Sequence, residues 1–244
     1  MFKVPPYLRD ANPQAFTPKF VSIGPLHRGQ AHLASTQKYK WAILRCILDR
    51  KGGKDIKFYV DAIAEHKNTA RRCYVLENDE ISDGDFMEML VLDSFFIIEL
   101  LLAFAHGHAS LGYPAEEEPI FLAPEFDRRI KPDFLLLENQ IPLFVLKRLF
   151  EMVAEPGDSL ERLAASFFQP LFPSSKLGIP NPREELDLHL LGLIRTCLLS
   201  SDDSLQAKSF PMNLRSKYFY HPWIPISFVA IIVGICLKFL FFTS

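Results

Sequence analysis

Apolar residues form two long runs in the chain, and elsewhere they recur at helical spacing. The longer run occupies residues 223–242. A helix of this length spans about 30 Å, the thickness of one hydrocarbon core. Its thirteen Ile, Leu, Val and Phe side chains favour insertion by about 6 kcal/mol in all, whereas Lys238 costs at most about 3 kcal/mol. The pattern therefore predicts a transmembrane helix, against the alternative of a buried C-terminal helix of a soluble domain.

An aromatic and basic border precedes this run. Arg215, Lys217 and Tyr218 are residue types that lie at the headgroup level, and the positive charges favour the cytoplasmic side. We expect a tail-anchored protein whose N-terminal domain is cytosolic. The residues expected to anchor the helix in the lipid bilayer are Trp223, Ile226, Phe228, Ile231, Ile235, Phe239 and Phe242.

The second apolar run contains two carboxylates. Residues 90–104 carry eleven Leu, Ile, Val and Phe side chains together with Asp93 and Glu99. Each carboxylate costs about 2.5 to 3.5 kcal/mol in a membrane, which outweighs the roughly 5 kcal/mol that the apolar side chains offer. We therefore predict a central buried helix over residues 83–105, with Ser82 as its N-cap.

Asp93 and Glu99 are too far apart round a helix to act as a catalytic pair. Six residues correspond to a rotation of about 600°, so the two side chains lie on different faces. A buried carboxylate without a donor would be expensive. We expect each of them to have its own structural partner, an Arg side chain or a backbone N–H.

The N-terminal half is predicted to hold an extended arm and two amphipathic helices. Prolines interrupt residues 1–29 and prevent a long helix there. Apolar residues at helical spacing predict helices over residues 30–50 and 55–74. The side chains expected to be buried in the core are Leu92, Phe95, Phe96, Leu100 and Leu137.

A proline interrupts the next apolar segment. Pro142 divides residues 133–150 into two predicted helical pieces, joined at residues 139–141. The side chains of Asn139 and Gln140 are able to satisfy the backbone groups that this break leaves free. We expect a structural role for them.

Two more helices are predicted before the tail. Asp158 and Glu161 resemble a capping box at the start of a helix that reaches Phe168. The next helix covers residues 181–199 and has a broad leucine face. We expect this face to be bare and to bind a protein partner or a second copy of the chain. It contains Leu186, Leu190 and Leu193.

Together these elements predict an all-α fold, namely an irregular helical domain with a proline-rich N-terminal arm and one C-terminal transmembrane helix. Residues 1–199 would form the helical domain, residues 200–214 a linker, and residues 215–244 the membrane-proximal segment and the transmembrane helix.

The composition excludes several classes of function. The formal charge of −2, without a block of Lys or Arg, offers no surface for nucleic acid. The four cysteines are far apart without a C-x-x-C pair, which favours buried thiols in a reducing compartment. His106 and His108 lack a third ligand at zinc spacing, and residues 77–85 lack two oxygens that an EF-hand requires. We expect no metal and no cofactor.

One enzymatic alternative stays open. His27 lies on a loop between turn signals and could act with Glu138 or Asp93 in a hydrolase-like site. The alternative requires these side chains to lie within hydrogen-bond reach of each other, in a pocket. No nucleophile stands beside Glu138 in the sequence, so we expect no catalytic residue and no enzyme.

Six segments of the chain form an ordered set of motifs. They are residues 3–9 (KVPPYLR), 20–29 (FVSIGPLHRG), 70–74 (ARRCY), 86–99 (FMEMLVLDSFFIIE), 133–142 (DFLLLENQIP) and 218–223 (YFYHPW). In this order they resemble the successive blocks of the plant-specific domain-of-unknown-function 247 family. The resemblance implies a largely helical land-plant protein that a C-terminal helix holds at the plasma membrane. Some members of that family are implicated in pollen recognition during grass self-incompatibility, and no catalytic residue is established that could be carried over.

The chain departs from the family pattern at two places. It begins directly at the first block, and it passes within residues 199–216 to the membrane-proximal block, where family members have a much longer segment. We therefore expect a shortened member. Three functions follow as alternatives: a membrane-tethered interaction or signalling module, a hydrolase-like enzyme, and a truncated copy without activity.

Overall fold

A computed structural model describes residues 3–75, 81–113, 124–179 and 189–200. All of them fall within one compact unit, Met1–Asp203. Residues 201–214 of the expected linker, the membrane-proximal border and the transmembrane helix at residues 223–242 lie outside the described residues, as does Leu186. Ser200, the first residue of the expected linker, is instead the last residue of a helix.

The described residues form α-helices joined by loops and 3-10 turns, and they contain no β-strand. The expectation of an all-α domain is confirmed for this part of the chain. The helices are α1 (Pro6–Ala11), α2 (Ala34–Arg50), α3 (Ile56–Ala62), α4 (Lys67–Arg72), α5 (Asp83–His106), α6 (Pro124–Ile130), α7 (Leu143–Val153), α8 (Leu160–Phe168) and α9 (Leu190–Ser200).

Helix α5 is the centre of the domain. Its N-cap is Ser82, whose hydroxyl accepts the backbone N–H of Asp85 at 3.1 Å, and it ends at Gly107, where φ is 80°. Helices α2, α3, α7 and α8 pack around it. Among the described residues α5 is the one helix that is long and apolar enough to cross a membrane, but 78% of its most apolar stretch is buried inside the domain. The prediction of a central buried helix is confirmed.

The predicted core is confirmed at four of its five positions. Leu137 is half-buried, so the prediction is wrong there. The chain leaves the helical path at Leu136, where φ is −76° and ψ is 136°. Leu137 lies in the turn that follows, which the backbone N–H of Asn139 closes by donating to the carbonyl of Leu136 at 3.1 Å. The four core side chains that are at most 3% exposed are Leu92, Phe95, Phe96 and Leu100.

Helix α2 buries an apolar face, as its spacing predicts, and Leu44 and Ile47 on this face are 3% and 0% exposed. Trp41 has the same helical spacing but is 44% exposed. The buried face also contains a lysine, because Lys40 lies on the same side of the helix as Thr36 and Ile47.

The predicted helix over residues 55–74 is broken. Asp55 caps α3 by accepting the N–H of Lys57 at 3.3 Å. The chain leaves the α-helical path at Ile63, where φ is −114° and ψ is 6°, and a 3-10 turn leads into α4. Two short helices replace the expected long one.

Helix α8 begins one residue later than the capping box suggested. Its N-cap is Ser159, whose hydroxyl accepts the N–H of Arg162 at 3.4 Å. The carboxylate of Asp158 instead lies 3.0 Å from Nε2 of His106 at the end of α5. The predicted helix and its end at Phe168 are confirmed.

The leucine face of α9 is not bare. Leu190 and Leu193 are 2% and 0% exposed. They are buried because α9 packs against α8 and against the 3-10 turn Asp133–Leu135. The backbone N–H of Gly178 also donates to the carbonyl of Cys197 at 2.9 Å. The expected docking face is therefore wrong at Leu190 and Leu193, which have partners inside the domain.

Candidate functional site

Residues 3–24 run as an arm across the domain, and side chains rather than a neighbouring strand bind much of its backbone. The carboxylate of Asp133 accepts N–H groups from Lys19 at 3.0 Å, Phe20 at 2.7 Å and Val21 at 2.9 Å. Burial raises the pKa of Asp133, and these three N–H groups offset part of that rise because they favour the charged form. Asp133 thus holds the middle of the arm.

Asn139 binds the next part of the arm. Its Oδ1 accepts the N–H of Ile23 at 2.6 Å, while its Nδ2 donates to the carbonyls of Val21 and Asp133, both at 3.0 Å. Asn139 is 1% exposed. All of its hydrogen bonds go to backbone groups, so it does not stand ready as an oxyanion donor.

Gln140 closes the turn before α7, as expected from the proline break. Its Nε2 donates to the carbonyls of Phe134 and Leu136 at 2.7 and 2.8 Å. Its Oε1 accepts the N–H of Leu191 at 3.1 Å, which joins the turn to the first residues of α9. The prediction that Asn139 and Gln140 satisfy backbone groups is confirmed.

The backbone of Gln140 also fixes a glycine in the arm. Gly24 has φ of 75°, and a Cβ built there would lie far inside van der Waals contact with the carbonyl oxygen of Gln140. The same carbonyl accepts the hydroxyl of Tyr74 at 3.1 Å. The arm can approach this turn so closely because residue 24 has no side chain.

Asp93 links the arm to α2 through a buried ion pair. Its Oδ1 accepts Nζ of Lys40, and its Oδ2 accepts the N–H of Gly24 at 2.7 Å. Nζ of Lys40 also donates to the carbonyl of Ser22. Lys40 and Asp93 are 3% and 1% exposed. The pair therefore clamps the arm between α2 and α5.

Glu138 binds the start of the arm. Its carboxylate accepts the N–H of Val4 and the guanidinium of Arg9. Burial alone would raise the pKa of Glu138, but the hydrogen bonds from His27, Arg9 and Val4 outweigh it and lower the pKa to about 2. Glu138 is thus a stable carboxylate and a poor general base at neutral pH.

His27 lies beside Glu138. Its Nδ1 accepts a hydrogen bond from Nε2 of Gln30 at 3.0 Å, so the ring proton is on Nε2. This nitrogen lies 3.5 Å from Oε2 of Glu138, at the long end of a hydrogen bond, and has no other partner among the described residues. His27 and Glu138 are each 4% exposed.

We predict that the Glu138→Gln substitution lowers stability in a pH-dependent manner. Because the pKa is about 2 in the fold and about 4.3 in an unfolded chain, the ionised carboxylate contributes about 3 kcal/mol to the free energy of unfolding at neutral pH. A lowered carboxylate pKa gives stability that is complete above the unfolded pKa and is lost as the pH falls through the folded one. Chemical unfolding between pH 7 and pH 3 should therefore show the wild-type advantage shrink by more than half. An advantage that is independent of pH would contradict this assignment.

Glu99 has a separate partner at the far end of α5. Nη1 and Nη2 of Arg50 donate to its two carboxylate oxygens at 2.8 and 2.6 Å, and Nη1 also donates to the carbonyl of Leu111 at 2.8 Å. The expectation that Asp93 and Glu99 bind different structural partners is confirmed.

A cleft of about 440 Å³ opens between the loop of residues 22–30, α2 and α5. Lys40 and Asp93 form part of its wall, but His27 and Glu138 do not line it. The structure therefore brings His27 and Glu138 together, but not in this cleft. Asp93 does line the cleft, where Ser22 is the one lining residue of the Ser, Thr or Cys type. The lining residues are Ser22, Gly24, Arg28, Gly29, Gln30, Leu33, Ala34, Gln37, Lys40, Met89 and Asp93.

Four residues of these buried hydrogen-bond and ion-pair networks were not predicted from the sequence, namely Arg9, Lys40, Arg50 and Asp133. Lys40 had a detectable signal, because a lysine four residues after Thr36 and three before Ile43 falls on a buried helix face. The other three had none, since their partners lie 49 to 129 residues away along the chain.

The fold and this network define a helical domain with an N-terminal arm clamped by buried polar side chains. Three of the segments on which the family resemblance rests take part in this network: residues 3–9 and 20–29, which lie in the arm or continue it, and the turn at residues 133–142. The chain belongs to the DUF247 family, described as plant proteins of unknown function, whose model matches residues 1–210.

Two Arabidopsis thaliana proteins are similar to this chain. The UPF0481 protein At3g47200 is 35% identical over 216 residues, which is 86% of this chain and 44% of that protein. The putative UPF0481 protein At3g02645 is 28% identical over 166 residues, or 68% of this chain and 30% of that protein. The chain thus spans less than half the length of these curated relatives. No solved structure matches it.

Proposed function

We propose that this chain is a membrane-tethered interaction or signalling module at the plant plasma membrane, with its helical domain in the cytosol. The main support for the proposal is that the polar side chains suited to catalysis are already hydrogen-bonded within the domain. Glu138, Asp93 and Asn139 each bind two or more groups of the arm or of its clamp. Side chains that are bonded in this way fix the backbone of the arm, which favours a rigid recognition domain over a reaction centre.

The apolar segment at residues 223–242 supports the tethering part of the proposal. Insertion of this segment is favourable by about 3 kcal/mol after the cost of Lys238 is subtracted. The border of aromatic and basic residues before it favours a cytosolic domain.

We predict that a fluorescent reporter fused to residues 210–244 stays in the membrane pellet after carbonate extraction. A protease added to sealed vesicles should digest the reporter, since its N-terminal side faces the cytosol. The matched control carries Ile231→Arg and Ile235→Arg, which together add about 5 to 7 kcal/mol to the cost of insertion. The control should be released by carbonate. Complete release of the unmodified fusion would contradict tail anchoring.

A hydrolase-like enzyme is the second candidate, because Nε2 of His27 lies 3.5 Å from Oε2 of Glu138. The two functions differ in what they require of His27. Turnover of an activated ester that falls at least about 100-fold in a folded His27→Gln variant would favour the hydrolase. Equal and negligible turnover by both chains would favour the interaction module.

A further inference from the structure

We propose that the cleft between the loop of residues 22–30, α2 and α5 binds a small organic carboxylate. This site is independent of membrane tethering, and it lies apart from His27 and Glu138. Its volume of about 440 Å³ falls within the range of about 300 to 1,000 Å³ that is typical of small-molecule sites.

The charges that line the cleft favour an anion. Lys40 and Arg28 are cationic, and Asp93 is the acidic residue among the lining side chains. The neighbouring Asp85 does not line the cleft. Its backbone carbonyl accepts Nη1 of Arg28 at 3.3 Å, and its carboxylate accepts the hydroxyl of Ser82 at 2.6 Å. The wall therefore has one more positive than negative side chain, in a partly enclosed space where charge acts more strongly than in water.

Both cations keep donors for a ligand. An ammonium group has three N–H donors, and Lys40 uses two of them, on Asp93 and on the carbonyl of Ser22. A guanidinium has five, and Arg28 uses one of these in the described structure. A carboxylate can accept from both cations at once.

The rest of the wall suits an organic molecule rather than a bare ion. Leu33 and Met89 supply apolar surface, and both side chains are at most 4% exposed. The carboxamide of Gln37 makes no hydrogen bond to another described residue, and it can bind a polar substituent. A few polar groups on an apolar wall are the usual arrangement of a small-molecule site.

A ligand held here would contact three elements at once: the loop of residues 22–30, α2 and α5. It would therefore stabilise the clamped position of the arm by mass action.

The test uses benzoate as the probe and benzamide as its uncharged analogue of equal shape. Ligand-observed NMR with the full chain in mild detergent measures the affinity of each. We expect benzoate to bind at least about tenfold more tightly than benzamide, because a hydrogen bond to a charged group is stronger than one to a neutral group. Inorganic phosphate, which lacks the apolar part, should bind more weakly than benzoate.

Three variants locate the site. Arg28→Gln removes an exposed cation and should weaken benzoate binding about tenfold. Ala34→Phe fills the cleft from an exposed position at the start of α2 and should abolish binding. Arg45→Gln is the matched control, an exposed cation on α2 outside the cleft, and it should change the affinity by less than about twofold because distant surface charges are screened. Circular dichroism verifies that each variant is folded.

Three results would overturn the proposal. The first is the absence of benzoate binding up to about 10 mM. The second is benzamide or phosphate binding as tightly as benzoate. The third is benzoate binding that Arg28→Gln and Ala34→Phe leave unchanged.

Discussion

Replacing Lys40 with Met is expected to lower the free energy of unfolding by about 3 to 5 kcal/mol. The substitution preserves much of the side-chain volume but leaves the carboxylate of Asp93, which is 1% exposed, without its cation. It also removes the donor to the carbonyl of Ser22. Urea unfolding of the full chain in mild detergent, followed by circular dichroism, measures the loss.

Two comparisons separate the buried charge from a general effect of the substitution. Lys38→Met changes an exposed lysine on the same helix and should alter stability by no more than about 0.5 kcal/mol. Adding Asp93→Asn to Lys40→Met should restore part of the loss, because it removes the unpaired charge and keeps an acceptor for the N–H of Gly24. If Lys40→Met and Lys38→Met have equal effects, the buried pair does not stabilise the domain.

Truncating Phe96 to Ala should cost about 3 to 5 kcal/mol. The ring is 0% exposed and meets Phe134 edge-on, with ring centroids 6.2 Å apart. The loss combines the transfer of the ring with the cavity that it leaves in the centre of the domain. Phe58→Ala is the matched control, because Phe58 is 44% exposed on α3 and its removal should cost less than about 1.5 kcal/mol. A loss under about 1 kcal/mol for Phe96→Ala would mean that α5 is not the core helix.

Helix α5 could be predicted from the sequence because every local signal agrees. Its apolar run is long, Ser82 caps its first turn, and Gly107 permits the positive φ that ends it. The carboxylates Asp93 and Glu99 within the run identified a buried helix with polar partners rather than a membrane span. A helix can be predicted from sequence when its apolar pattern, its N-cap and its C-terminal residue all indicate the same element.

The arm shows the limit of local patterns. Prolines predict that residues 1–29 are not a long helix, but they do not show which groups bind the backbone. Asp133 and Asn139 do so from positions 112 to 118 residues away in sequence. The spacing of apolar residues indicates which face of a single helix or strand is buried. It does not indicate which polar side chains bind each other across distant segments.

Helix α9 shows the same limit for apolar faces. Its leucine spacing predicts an apolar face, and the structure has one. Whether that face is covered depends on α8 and on the 3-10 turn Asp133–Leu135, which pack against it. An apolar stripe predicts that one face of the helix is buried. Which element covers that face depends on the rest of the fold.

The clamps on the arm impose an order on biosynthesis. Residues 3–24 leave the ribosome before the turn at residues 133–142, whose carboxylates and amides bind them and come more than a hundred residues later in the chain. At about 5 to 20 residues per second, the interval is on the order of ten seconds. During that time water must bind the backbone groups of the nascent arm that Asp133, Glu138 and Asn139 later bind. The arm can reach its folded position only when the turn has been synthesised. The arm is therefore among the last parts of the described domain to reach its final structure.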